Sequence, residues 1–206
     1  MIKTYQITLF LILFVNHLLS SDIREFEVGL NVSSLKTRGY TEIKCLNSEF
    51  LLSEWSDYKK CNKKKNNLHY LSFEYDDKYA FNENFEGTQV AGHPVTINIG
   101  IEESGRIKEI NVITDDKAPF YFKKQAHLFW MRVYSKYGSS GWKCKNYEKA
   151  NNHLIINRKY VNKSCFKKSN NKKIYYHTQL YFINNKEKDS LVSKTTMKIS
   201  LIESKG

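Results

Sequence analysis

Val95-Thr96-Ile97-Asn98-Ile99-Gly100-Ile101 alternates apolar residues with small or polar ones. This period of two predicts a half-buried strand with Val95, Ile97, Ile99 and Ile101 turned inward. Glu102 to Arg106 reads as a turn, and Ile107 to Thr114 as the antiparallel return. The pattern then changes to a helical one. Phe122, Ala126, Phe129, Trp130, Val133 and Tyr137 share one face, with Lys123, Lys124, His127 and Lys136 off it. Asp115-Asp116 offers an N-cap, Pro119 fits the first turn, and Gly138 is placed to stop the helix. An aromatic stripe at this spacing is core, and the preceding hairpin is its expected partner.

Further strands are predicted at Leu68 to Tyr75, Leu154 to Val161, Ile174 to Ile183, and from Leu191 or Thr195 to Ile202. The fold class that results is α+β: an antiparallel β-sheet with a main aromatic-rich helix packed on one face. Acids, Asn and Gly in Asp76 to Ala91 suggest an exposed loop.

The start of the chain has a different pattern. Lys3 precedes an apolar run from Ile7 to Val15, which Asn16 and His17 end before Ser20-Ser21. Charge, short apolar core and small residues in that order predict a secretory signal. The run is shorter than the roughly 20 residues of a membrane span. An uncleaved N-terminal anchor is the alternative. The expected organisation is a signal peptide at 1–21, an N-terminal α+β half at 22–91, and a hairpin, helix and C-terminal sheet at 92–206. The expected location is periplasmic or secreted.

Export changes how the cysteines read. Cys45, Cys61, Cys144 and Cys165 form an even set beyond the leader, so two disulfides are expected. Cys45–Cys61 and Cys144–Cys165 are favoured because each pair is close in sequence and similarly placed. Gly39 and Gly138 each stand six residues before the first Cys, and Lys44 and Lys143 directly before it. A helix-like segment precedes each, at Val32 to Thr37 and in the stretch ending near Tyr137. A basic stretch carries each second Cys, followed by Lys and Asn residues that read as a turn. This order suggests two α-β-β-β-β repeats. The cysteines lack the spacing of a zinc site.

The 206 residues carry a net charge of +12, a balance that favours anionic partners. Heavy use of Lys, Asn, Ile and Tyr is also what an AT-rich genome writes. None of the P-loop, Rossmann, zincin or nucleophile-elbow patterns occurs. Of the histidines, His127 could meet the carboxylates of Asp115-Asp116, but an N-cap role explains that pair better. His177 belongs to a strand row with Tyr175 and Gln179. Asn31-Val32-Ser33 and Asn162-Lys163-Ser164 match the glycosylation sequon. No cofactor or metal is expected.

Val95 to Gly138, a strand, a Gly-containing turn, a strand and a helix, resembles in outline the C-terminal domain of TonB. The Pro-rich spacer usual before such domains is missing, and the Cys-bearing strands lie outside the likeness. The tandem layout resembles that of the beta-lactamase-inhibitor-like fold.

The expected function is a non-enzymatic binding or interaction module of a bacterial periplasm or extracellular space. Its partner would be an anionic envelope component or another protein rather than nucleic acid. The candidate face is Lys172, Lys173, Tyr175, Tyr176 and Tyr181. Strand alternation sends Tyr175 and Tyr181 to one side and Tyr176 to the other, so at most one set is free. The alternative is a small envelope hydrolase whose His and carboxylate meet only in the fold. A pocket gathering the two would mark it.

Overall fold

A computed structural model describes residues 21–76, 88–184 and 190–202. Lys3 and Ile7 to Val15 of the expected signal segment, and most of the loop expected at Asp76 to Ala91, lie outside them. Among the described residues the architecture is a mostly antiparallel ten-stranded sheet with its main helical segment at Phe120–Tyr137. The strands are β1 (Tyr40–Cys45), β2 (His69–Tyr75), β3 (Gln89–Val90), β4 (His93–Ile101) and β5 (Ile107–Thr114). After the helical segment come β6 (Lys143–Asn146), β7 (His153–Leu154), β8 (Val161–Ser169), β9 (Lys172–Ile183) and β10 (Ser190–Leu201).

The sheet order is β1-β2-β4-β5-β10-β9-β8-β6, with β3 beside β4 and β7 beside β9. Outward from the central β5–β10 pair, each side runs backwards along the chain. The boundary expected at 91/92 falls between β3 and β4, which pair with each other.

Alternation puts one set of side chains on a buried inner face. Val95, Ile97, Ile99 and Ile101 are all buried, as the period of two predicts. Register extends this face without a break: Ile97 pairs with Val112, Val112 with Met197, and Met197 with Tyr176. Two different covers close it. Over the N-terminal strands lie the segment Ile23 to Leu35 and a 3-10 helix at Trp55–Lys60. There Phe26 stacks on Phe73 with ring centres 4.7 Å apart, and Trp55 meets Tyr40 edge-on at 5.0 Å.

Over the C-terminal strands lies the helical segment: α1 (Phe120–Gln125), a 3-10 stretch at Ala126–Phe129, and α2 (Trp130–Tyr137). Ala126, Phe129 and Val133 are buried, whereas Phe122, Trp130 and Tyr137 are only half-buried. The segment does not pack on the preceding hairpin as a whole. It crosses β10 and β9, held by Thr195 Oγ1 donating to the Ala126 carbonyl (3.0 Å) and Thr178 Oγ1 to that of His127 (2.7 Å). The reason is topological. β10 returns to pair with β5, so the crossover chain covers the strands that arrive later.

Other local expectations also shift. Asp115 accepts from the Lys117 amide (2.8 Å), closing a turn, while the helix starts behind Pro119 without a side-chain cap. Gly138 ends it at φ 79°, a left-handed value that glycine adopts without cost. Val32 to Thr37 shortens to one 3-10 turn, Val32–Ser34, whose cap is Asn31. Cys61 follows a 3-10 helix rather than lying in a strand. Of Leu154 to Val161 only the ends are extended, because Ile156 and Lys159 bond to each other across a tight turn. The Asn-containing turns do form, with Asn67 and Asn170 at positive φ.

Both expected disulfides are present. Cys45–Cys61 joins β1 to the turn before β2, and Cys144–Cys165 ties register partners on β6 and β8. No helix among the described residues is long and apolar enough to cross a membrane.

Candidate binding face

The outer face of the sheet is the one the helical segment leaves open. Its residues follow from register. One row crosses four strands as Lys198 (β10), Tyr175 (β9), Phe166 (β8) and Lys143 (β6). The row to one side holds Ser200, Lys173 and Lys168; the row to the other holds Thr196, His177, Ser164 and Lys145. Tyr147 lies over this last row, its hydroxyl 3.0 Å from Ser164 Oγ and its ring 5.5 Å from that of His177. Lys173 Nζ stands 5.5 Å from the Phe166 ring centre and Lys145 Nζ 5.2 Å from that of Tyr147, within reach of a cation–π attraction.

The lysines of this half are poorly compensated. Lys198 pairs with Glu109 at 2.5 Å. Lys143, Lys145, Lys168, Lys173 and Lys194 have no carboxylate partner among the described residues. The N-terminal half of the same face carries instead Glu74, Thr96, Asn98, Asn111 and a Lys44 held by Glu42 at 3.1 Å.

The sequence-derived candidates divide between the faces. Lys173 and Tyr175 are in the outer rows. Tyr181 is on that side too, but it is buried beneath His153, whose ring stacks on it at 4.0 Å. Burial raises the Tyr181 hydroxyl pKa. Tyr176 and Lys172 point inward. Tyr176 donates to the Tyr134 hydroxyl at 3.2 Å beneath Trp142, and burial pushes its pKa well up. Lys172 meets Asp22 at 3.1 Å and Glu27 at 2.9 Å, fastening the N-terminal cover to β9. His177 Nε2 donates to Asn162 Oδ1 at 2.8 Å, and burial lowers the His177 pKa. Asn162 of the second sequon therefore lies within this face. Asn31 of the first is engaged as a cap and donates to the Ser104 carbonyl.

Phe166, Tyr147 and the lysines of β6 and β8 escaped the sequence reading. Val161 to Ser169 has charged residues on both alternating sets, so its pattern does not say which side faces out. The inward disulfide at Cys165 assigns Phe166 to the opposite face.

Among the described residues, cavities near 600, 330 and 370 Å³ open on the surface, and none of these is lined by a histidine. The largest of these lies on the N-terminal half of the outer face among Lys44, Glu49, Glu74 and Asp115. The fold does bring His69 within 3.5 Å of Glu103. His69 Nδ1 is 2.6 Å from the Cys61 carbonyl, and Glu103 is exposed and also held by Lys63 and Lys59. Those lysines, Lys63 first, hold the Glu103 carboxyl down at about 2. The ion pairs of Glu103 with Lys59 and Lys63 tie the β4–β5 turn to the segment around Cys61.

No protein-family model matches this chain, and neither a curated protein nor a solved structure matches it. The outline likenesses to the TonB C-terminal domain and to the beta-lactamase-inhibitor-like fold thus gain no counterpart.

Proposed function

We propose that this protein is an exported, non-enzymatic binding module that uses the outer face of β10, β9, β8 and β6 to hold an anionic partner. The observation that carries this is the group of outer lysines without carboxylate partners among the described residues, set around half-exposed rings. Positive charge gathered on one surface raises the local concentration of anions and speeds their encounter. Two disulfides suit an oxidising compartment, in line with the leader-like start of the chain. The strand order about the β5–β10 pair, with a disulfide at each outer end, supports descent from two fused repeats whose N-terminal copy lacks the long helix.

The test is capture on an anionic matrix and from envelope extract, at low and high salt. The protein should be retained at low salt and released at high salt, and Lys168→Glu/Lys173→Glu/Lys194→Glu should abolish retention. Capture insensitive to salt, or undiminished in that variant, would remove the reading.

A further inference from the structure

We infer that the row Lys198–Tyr175–Phe166–Lys143 is a subsite for a linear acidic polysaccharide, lying across the strands. The inference rests on the proposed anion-binding reading and adds an occupant to it. Adjacent strands are about 4.8 Å apart, so the two terminal lysines of the row stand roughly 14 Å from each other at the backbone. Between them lie two rings that are register neighbours and only half-buried. A ring face of this kind takes the apolar C–H face of a pyranose, while Lys143 at one end and Lys168 and Lys173 beside the rings meet carboxylate or sulfate groups along the chain; Lys198 at the other end shares its charge with Glu109. Lys168 and Lys173 flank the rings on one side, and Lys145 with Tyr147 on the other.

Three features favour this occupant. The face is a sheet surface and not an enclosed pocket, which suits a polymer better than a small ligand. Its cations are lysines on flexible stems, point charges rather than the planar forks that select one carboxylate geometry. The disulfides point to an extracytoplasmic setting, where acidic glycans are the polyanions built of repeated rings. A single-stranded nucleic acid would also use rings and positive charge. It is the rival that the experiment separates.

The experiment measures binding of a sulfated hexasaccharide and of a single-stranded oligodeoxynucleotide of equal charge to the full chain, by calorimetry over a salt series. Phe166→Leu and Tyr175→Leu remove the rings while keeping apolar volume, and their folding is checked by thermal melting. The saccharide should bind more tightly than the oligonucleotide. Each ring variant should weaken it about tenfold with an unchanged salt slope, since one stacked ring is worth on the order of a decade in affinity. Lys168→Gln/Lys173→Gln should flatten the salt slope. Ring variants that bind like the wild type would overturn the inference and leave a charge-only face, so the broader reading would stand. Tighter binding of the oligonucleotide, or no binding of the saccharide by protein that an anionic matrix still retains, would overturn the occupant. Loss of retention on the matrix as well would fell both.

Discussion

The two halves of the sheet bury the same kind of face in different ways. On the N-terminal half the cover has little regular structure, and its grip comes from rings: Phe26 stacks on Phe73, and Tyr40 and Trp55 meet both edge to face. Its disulfide is buried at both ends. On the C-terminal half a helical segment does the covering, hydroxyls of β9 and β10 hold its carbonyls, and Cys144 is exposed. The outer faces differ as well, mixed in charge on one half and basic on the other. A sheet side chain has only two directions to point. Once the inner direction is filled by core, the outer one is free to diverge between halves, and function has room there.

The largest expected effect tests whether the ring cover and the helical cover are equivalent in strength. Trp55→Ala and Phe26→Ala remove side chains that are 1 % and 0 % exposed, and each should cost about 3–5 kcal/mol in urea denaturation. Phe129→Ala in the helical cover should fall in the same range. Half-buried Trp130→Ala should cost less, about 1–2 kcal/mol. A Phe26→Ala protein whose C-terminal strands kept full amide protection would show that the halves unfold independently, despite the shared β5–β10 pairing.

The disulfides sharpen the same contrast. They close sequence separations of 16 and 21 residues, so loop entropy assigns each about 3 kcal/mol. Their accessibility differs far more. Mild thiol should reduce Cys144–Cys165 first, because an attacking thiolate reaches exposed Cys144 and not Cys45 or Cys61. Alkylation followed by peptide mapping reads the order, and equal rates would erase this difference between the halves.

Acid should produce the smallest effect. Burial lowers the pKa of His93, His127 and His177, assisted at His93 by Arg132 and at His127 by Lys159. These imidazoles bind fewer protons folded than unfolded. Their contribution is therefore full above the unfolded value of about 6.5 and declines as pH falls below it. All three lie on or against the helical cover and the basic half. The carboxyl of Glu103, held down by Lys63, belongs to the other half and keeps its charge to much lower pH. The urea midpoint should begin to fall between pH 7 and 5, values chosen to bracket the ordinary histidine range. A flat midpoint there would mean that these histidines titrate as in the unfolded chain.

Legibility followed the contrast between neighbouring positions. Val95 to Ile101 has apolar residues at every second place, so its strand, its inward face and the turn after it could be read directly. The cysteine pairs were readable from their spacing and setting, and so was the division of Tyr175 and Tyr181 from Tyr176. Val161 to Ser169 has no such contrast, and its outward Phe166 was not legible. Tyr181 was legible as sharing a side with Tyr175 but not as buried, since the His153 that stacks on it arrives from another strand.

The chain by itself determined the short-range features: period-two strands, the presence of a helical segment before Gly138, glycine and asparagine turns, and the pairing of cysteines close in sequence. Each depends on the sterics or solvation of a few neighbouring residues. Only the tertiary structure decided that β10 returns to β5, that the helical segment covers β9 and β10, and that Lys198, Tyr175, Phe166 and Lys143 stand in one row. Those residues come from separate strands, and strand register is set by the packing of the whole inner face. The outer row is a consequence of that packing, which no local pattern records.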